Sequence, residues 1–139
     1  MSAADTPPGY GERYDYRVDI LRRLNRITAT LDGAVLAESR RTLLVDEQDH
    51  GLVFYFPRQD VRLDRLVSMP GKSSRCPYKG EASYWADADR PDDAIAWSYE
   101  TPYPEVAPIK GYVAFYQDRV TVAVGTAPSI YQRSKGSQS

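Results

Sequence analysis

ITATLDGAVLAES, residues 27–39, carries the clearest structural signal in this chain. Ile27, Ala29 and Leu31 alternate with Thr28 and Thr30, the period-two pattern of a strand with one buried face. Asp32-Gly33 follows at once, and the central residues of a type I′ turn both need a positive φ, which Gly and Asp tolerate better than most. The return strand begins at Ala34 and runs through Val35 and Leu36. A tight β-hairpin is therefore expected here.

The same pattern extends in both directions. Upstream, Tyr14, Tyr16, Val18 and Ile20 alternate with Asp15, Arg17 and Asp19, until the basic piece Leu21–Asn25 interrupts them. Downstream, Leu43–Val45 reads as a short strand, Asp46–Gly51 as an acidic turn with an exposed His50, and Leu52–Phe56 as a buried strand. Pro57 ends that strand because it has no N–H to give to a ladder. Asp60–Leu66 fits a strand or a helical turn equally well, and Pro70-Gly71 signals a turn. Ala82–Trp85 and Ile95–Tyr99 are strands flanking the polar loop Asp87–Asp93. Three prolines in Thr101–Pro108 demand an extended or turning loop. Tyr112–Tyr116 and Val120–Val124, separated by Gln117, Asp118 and Arg119, suggest a closing hairpin. Short β-rich runs recur about every ten residues and helical periodicity is nearly absent, so the expected fold class is all-β, a sandwich or barrel-like domain.

Composition bounds the rest. A chain of 139 residues fits one compact domain with one core, expected over residues 13–125, with flexible tails at 1–12 and 126–139. A formal net charge of -1 gives no general pull toward nucleic acid or an anionic membrane. The N-terminus lacks the basic start and apolar run of a signal peptide, and no apolar run is long enough to span a membrane, so a cytoplasmic protein is expected. One cysteine and one histidine exclude an intrachain disulfide and a thiolate–imidazole zinc site; no metal or cofactor is expected.

Candidate site residues concentrate in RCPYKGEASYW, residues 75–85, and WSYETPYPEVAPIKGYVAFY, residues 97–116. All three Phe, both Trp and seven of the eleven Tyr fall between Phe54 and Tyr116, enough to build both a core and a pocket wall. Phe54, Phe56 and Phe115 are assigned to the core; Tyr78, Tyr84, Trp85, Trp97, Tyr99 and Tyr112 are the pocket candidates. Cys76 is either a small buried hydrophobe or a nucleophile whose thiolate Arg75 or Lys79 stabilises. Lys79 either presents an ammonium to a ligand or closes a loop salt bridge to Glu105 or Asp60. Glu105, held in the proline-rich loop, is either a general base or an acceptor for backbone donors. Arg58 and Asp60 read as surface ion-pairing residues. Arg17, Arg22, Arg23 and Arg26 are interspersed with Asp15 and Asp19, which marks a solvated face rather than a phosphate site.

Five segments together resemble a bacterial family, domain of unknown function 427: AVLAESRRTLL (34–44), YFPRQDV (55–61), CPYKGEASYW (76–85), AWSYETPYPEVAPI (96–109) and GYVAFYQDRV (111–120). The resemblance implies a β-tent fold of two antiparallel sheets, similar to methionine sulfoxide reductase B and the ligand-binding domain of cereblon. Those relatives commonly hold zinc through paired cysteines, which a single Cys cannot supply, so no metal role carries over. A nucleotidyltransferase-like label is sometimes attached to the family, but the chain has no Walker-type loop and no Gly-Ser followed by Asp-x-Asp.

The function expected from the sequence is a small domain whose aromatic-lined pocket binds a polar or anionic small molecule, with Lys79 and Glu105 orienting it. Two alternatives stand beside it. One is an enzyme using Lys79, Glu105 or Cys76 in the same pocket; the other is a protein-interaction module, such as a homodimer, built on exposed aromatics.

Overall fold

The structure is a computed structural model that describes residues 16–126. Tyr14, Asp15 and the two expected tails, apart from Thr126, lie outside the described residues. The described chain is all-β: ten strands in three antiparallel sheets, with short 3₁₀ turns between some of them.

The hairpin signal at Asp32-Gly33 is realised. β2 (Ile27–Leu31) pairs with β3 (Ala34–Ser39), and the turn residues sit at φ 51° and 82°. The register shifts after Ala29, so β3 carries a bulge around Leu36 that strengthens the local twist. β1 (Val18–Arg22), β4 (Leu43–Glu47) and β5 (Gly51–Tyr55) form a second sheet in the order β1-β4-β5. β6 (Leu66–Cys76), β7 (Gly80–Asp87), β8 (Arg90–Tyr99) and β9 (Val113–Phe115) form the third, in chain order.

Three expectations are corrected. Tyr112–Tyr116 and Val120–Val124 do not form a hairpin: β9 stays in the four-stranded sheet, while β10 (Thr121–Val124) crosses over to pair with β2. The three-residue connection has hairpin length, but it sits in a turn closed by Arg119 and Val120 N–H groups on the Tyr116 carbonyl and redirects the chain. Pro70-Gly71 makes no turn; it falls inside β6, where the pairing with β7 breaks between Ser68 and Ser73. Because β6 is an edge strand, the missing proline N–H costs no interior ladder bond. Finally, the strands divide into three sheets where the resemblance implied two, and the apolar residues into two clusters rather than one core.

Residues 58–65, which fitted strand or turn, are two 3₁₀ turns, Arg58–Asp60 and Leu63–Arg65, with Val61 bridged to Ala37 between them. The proline-rich segment closes as a 3₁₀ stretch, Pro104–Ile109, that buries Val106 and Ile109. The β1-β4-β5 sheet and the four-stranded sheet meet at one bridge. Phe56 and Val113 exchange both backbone hydrogen bonds, at 2.8 and 2.9 Å, which lays β5 beside β9.

The joined surface has two faces, and strand alternation assigns each side chain to one of them. Phe54, Phe56, Ala96, Val113 and Phe115 point to one side and pack with Ile27, Ala29 and Leu36 of the β2–β3 hairpin, and Ile95 joins them because a bulge interrupts β8 there. Phe56 and Phe115 meet edge to face there, centroids 5.6 Å apart. Val53, Tyr55, Trp97, Tyr99 and Ala114, the alternating neighbours, point to the other side and form the second cluster. The core assignment of the three phenylalanines therefore holds, and the opposite face is where the site lies.

Candidate functional site

On that second face the two joined sheets enclose a cavity of about 440 Å³. Ligand pockets typically measure about 300–1,000 Å³. Val45, Val53 and Tyr55 come to it from the β4–β5 hairpin, Trp97 and Tyr99 from β8, and Tyr84 from β7. Tyr116, just past β9, leans on Trp97 with centroids 4.7 Å apart and lies parallel to Tyr84. Cys76, partly buried and free, lines the wall where β6 ends.

Two hairpin ends supply the polar groups. Glu47 is the last residue of β4, before the turn that carries His50 and ends on Gly51 at φ 74°. Lys79 is the last residue of the turn between Cys76 and Gly80. Gly80 has φ 121°, and a Cβ added there would stand 3.3 Å from the Thr101 carbonyl oxygen, so glycine is what lets the proline-rich segment close against this turn. The Tyr103 N–H donates to the Lys79 carbonyl at 3.0 Å across that contact.

The two side chains meet inside. Lys79 Nζ donates to Glu47 Oε1, with the two side chains 8% and 5% exposed. Glu47 Oε2 accepts from the Tyr16 hydroxyl at 2.6 Å, and His50 Nε2 lies 3.7 Å from it at the exposed mouth. Tyr16 in turn stacks on Tyr78, centroids 3.8 Å apart at 12°. A buried ion pair is tolerable only with such further hydrogen bonds, because both ions have lost their water.

Lys79, Cys76, Tyr84, Trp97 and Tyr99, all sequence candidates, are brought together at this cavity. Tyr78 is buried behind the ion pair, where it stacks on Tyr16. Trp85 sits on the opposite face by alternation with Tyr84; it packs on the first cluster, donates to Ser98 Oγ at 3.3 Å, and carries Arg58 over its ring at 5.4 Å. Tyr112 packs beside the second cluster and borders a different hollow, with Arg58 and Lys110. Glu105 is exposed in the first turn of its 3₁₀ segment and is not among the residues lining the cavity.

The pairing expected for Lys79 is therefore corrected: its carboxylate is Glu47, and Asp60 is taken by Ser39 and Arg41. Arg58 binds Glu100 at 2.5 Å and the Gly111 carbonyl at 3.0 Å. Arg17 and Arg26 pair with Asp46 and Glu38 at the surface, as a solvated basic face would.

Glu47, Tyr16, Tyr55 and Tyr116 were not among the sequence candidates. For Glu47 a signal existed. Leu43, Val45 and Glu47 lie two apart on one strand, so the carboxylate had to share a face with two apolar residues. A charge on a buried face calls for a buried partner.

Burial acts on the phenols. It pushes Tyr99 far up, helped by the nearby Tyr55, Cys76, Tyr84 and Glu47. Tyr55 is likewise raised by burial, against the hydrogen bond its oxygen accepts from Trp97 Nε1 at 3.1 Å. Tyr16 is raised by burial and by the Glu47 carboxylate it donates to. Tyr116 is pushed up to about 12 by burial and by Tyr84. The cavity wall is thus a set of neutral phenol hydroxyls around a closed ion pair.

Among the described residues no group of three or more His, Cys, Asp or Glu is placed to hold a metal ion, and no helix is long and apolar enough to cross a membrane. The sequence model of one protein family, described as Domain of unknown function (DUF427), matches residues 19–126. No curated protein matches the chain.

Proposed function

The chain belongs to the domain of unknown function 427 family, whose description names no activity, and from that starting point we propose that it binds a small polar organic molecule in the cavity between its joined sheets. One observation carries this reading: a cavity of about 440 Å³ with aromatic walls ends on a buried Glu47–Lys79 pair. Aromatic faces give a flat ligand contact area, and a few fixed polar groups orient it, which is the usual division of labour in a small-molecule site. In this reading Lys79 and Glu47 orient the ligand, Glu47 standing where Glu105 was expected. Binding without chemistry is the form proposed, with Glu47 held in place by the hydrogen bonds it accepts from Lys79 and Tyr16.

The test is a metabolite screen read by tryptophan fluorescence in a Trp85→Phe background, where Trp97 alone reports. A ligand of this site gives a saturable change that Val53→Phe, which narrows the cavity without adding a tryptophan, removes while the melting temperature of the free protein stays within a few degrees. A hit that survives Val53→Phe binds elsewhere and sinks the reading.

A further inference from the structure

Each polar side chain of the cavity has donors and acceptors that can be counted. Glu47 accepts from Lys79 on one oxygen and from Tyr16 on the other. The Tyr55 oxygen accepts from Trp97 at 3.1 Å, and the Tyr84 hydroxyl is bonded to Ser74 at 2.5 Å. Tyr99 is different. It is 6% exposed, it lines the cavity, and its hydroxyl has no hydrogen-bond partner among the described residues. Among the described residues the fully buried unpaired side-chain atom is Thr42 Oγ1, so the Tyr99 hydroxyl opens onto the cavity and is free to donate to a ligand there.

Charge narrows the choice further. Lys79 and Glu47 neutralise each other inside, and His50 stands 68% exposed at the mouth. An ionised ligand group would then be buried with no counter-ion of its own. Tyr99 lines the cavity together with Tyr55, Cys76, Tyr84 and Glu47, and burial holds the proton on its phenol.

Resting on the binding role proposed above, we infer that the ligand is an uncharged planar molecule with a carbonyl-type oxygen, recognised by the hydroxyl of Tyr99. What the cavity lacks is an acceptor; cations and carboxylates are the wrong chemistry for it. This sharpens the polar-or-anionic expectation to the neutral member.

Acetophenone, ethylbenzene, benzoate and benzylammonium are near-equal in size and differ in this one group. Their affinities for the full chain are measured by ligand-observed NMR. Acetophenone is expected to bind about tenfold tighter than ethylbenzene, with benzoate and benzylammonium no tighter than ethylbenzene. Tyr99→Phe should bring acetophenone down to the ethylbenzene value and leave ethylbenzene unchanged. The isotope-labelled carbonyl carbon of bound acetophenone should resonate downfield of its position in a hydrocarbon solvent, a readout independent of any variant's folding. Equal binding of acetophenone and ethylbenzene, tighter binding of benzoate or benzylammonium, or an unshifted carbonyl each overturns the acceptor assignment while leaving the cavity as a binding site. If none of the four binds, the binding role itself falls and the inference falls with it.

Discussion

Removing the Glu47 side chain leaves the Lys79 ammonium buried without a counter-charge, the costlier half of a broken ion pair. Glu47→Ala is expected to destabilise the fold by about 3–5 kcal/mol, read from urea unfolding. The double variant Glu47→Leu/Lys79→Met removes both charges and should recover most of that loss; if it is as unstable as the single variant, the pair is not what holds the two hairpin ends together. The tyrosines give a second residue-scale test. Tyr116 holds its proton in the fold to about 12, against a free phenol near 10. As pH rises the unfolded chain loses this proton first, so the stabilisation is complete below pH 10 and drains away as pH climbs from there to about 12. Tyr16, Tyr55 and Tyr99 are raised further still, and their tyrosinate absorbance should appear only as the protein unfolds in alkali. Tyrosinate from all the described tyrosines near pH 10, with the fold intact, would contradict the buried wall.

Two glycines separate backbone strain from steric crowding at the level of the hairpin. Gly33 has φ 82° with nothing near an added Cβ, so Gly33→Ala should cost about 1 kcal/mol, a backbone effect alone. Gly80→Ala meets the Thr101 carbonyl at 3.3 Å as well, and should cost about 2–3 kcal/mol and weaken ligand binding by shifting Lys79. Equal losses at the two sites would remove the role given to the Gly80 contact. These hairpins also mark how far local pattern reaches. Asp32-Gly33 between alternating runs was legible because turn chemistry and strand period are both local. The route of Tyr116–Val124 was not: a three-residue connection suits a hairpin, and only the free edge of β2 in a separate sheet explains why β10 leaves its neighbour. Pro70-Gly71 misled for a similar reason, since an edge strand absorbs what an interior strand cannot. Amides from Ser68 to Ser73 should accordingly exchange faster than those of β7 and β8, a difference hydrogen exchange measures directly.

The all-β class was readable from the whole chain, because a period of two recurs from Val18 to Val124. The site was readable only in part. Cys76, Lys79, Tyr84, Trp97 and Tyr99 were picked out as neighbours in two segments, while Val45, Glu47 and Tyr55 arrive from a third through sheet pairing that no short window contains. Trp85 is absent from this cavity because it stands one residue from Tyr84, and it lines a second hollow beside β6 instead. Cys76 now serves as a reporter. A ligand filling the cavity should slow its labelling by a thiol reagent several-fold and raise the unfolding midpoint by mass action, whereas unchanged labelling at saturation would place the ligand elsewhere. β4 and β5 are held by five paired residues, but β5 and β9 by the single Phe56–Val113 bridge. Mechanically this is a crease in the backbone, braced across the cavity by the Glu47–Lys79 pair and the Trp97–Tyr55 hydrogen bond. The width of the opening is then governed by how far two stiff plates flex about a two-bond spine, so hydrostatic pressure should perturb the Phe56 and Val113 amide resonances before those of the plates themselves.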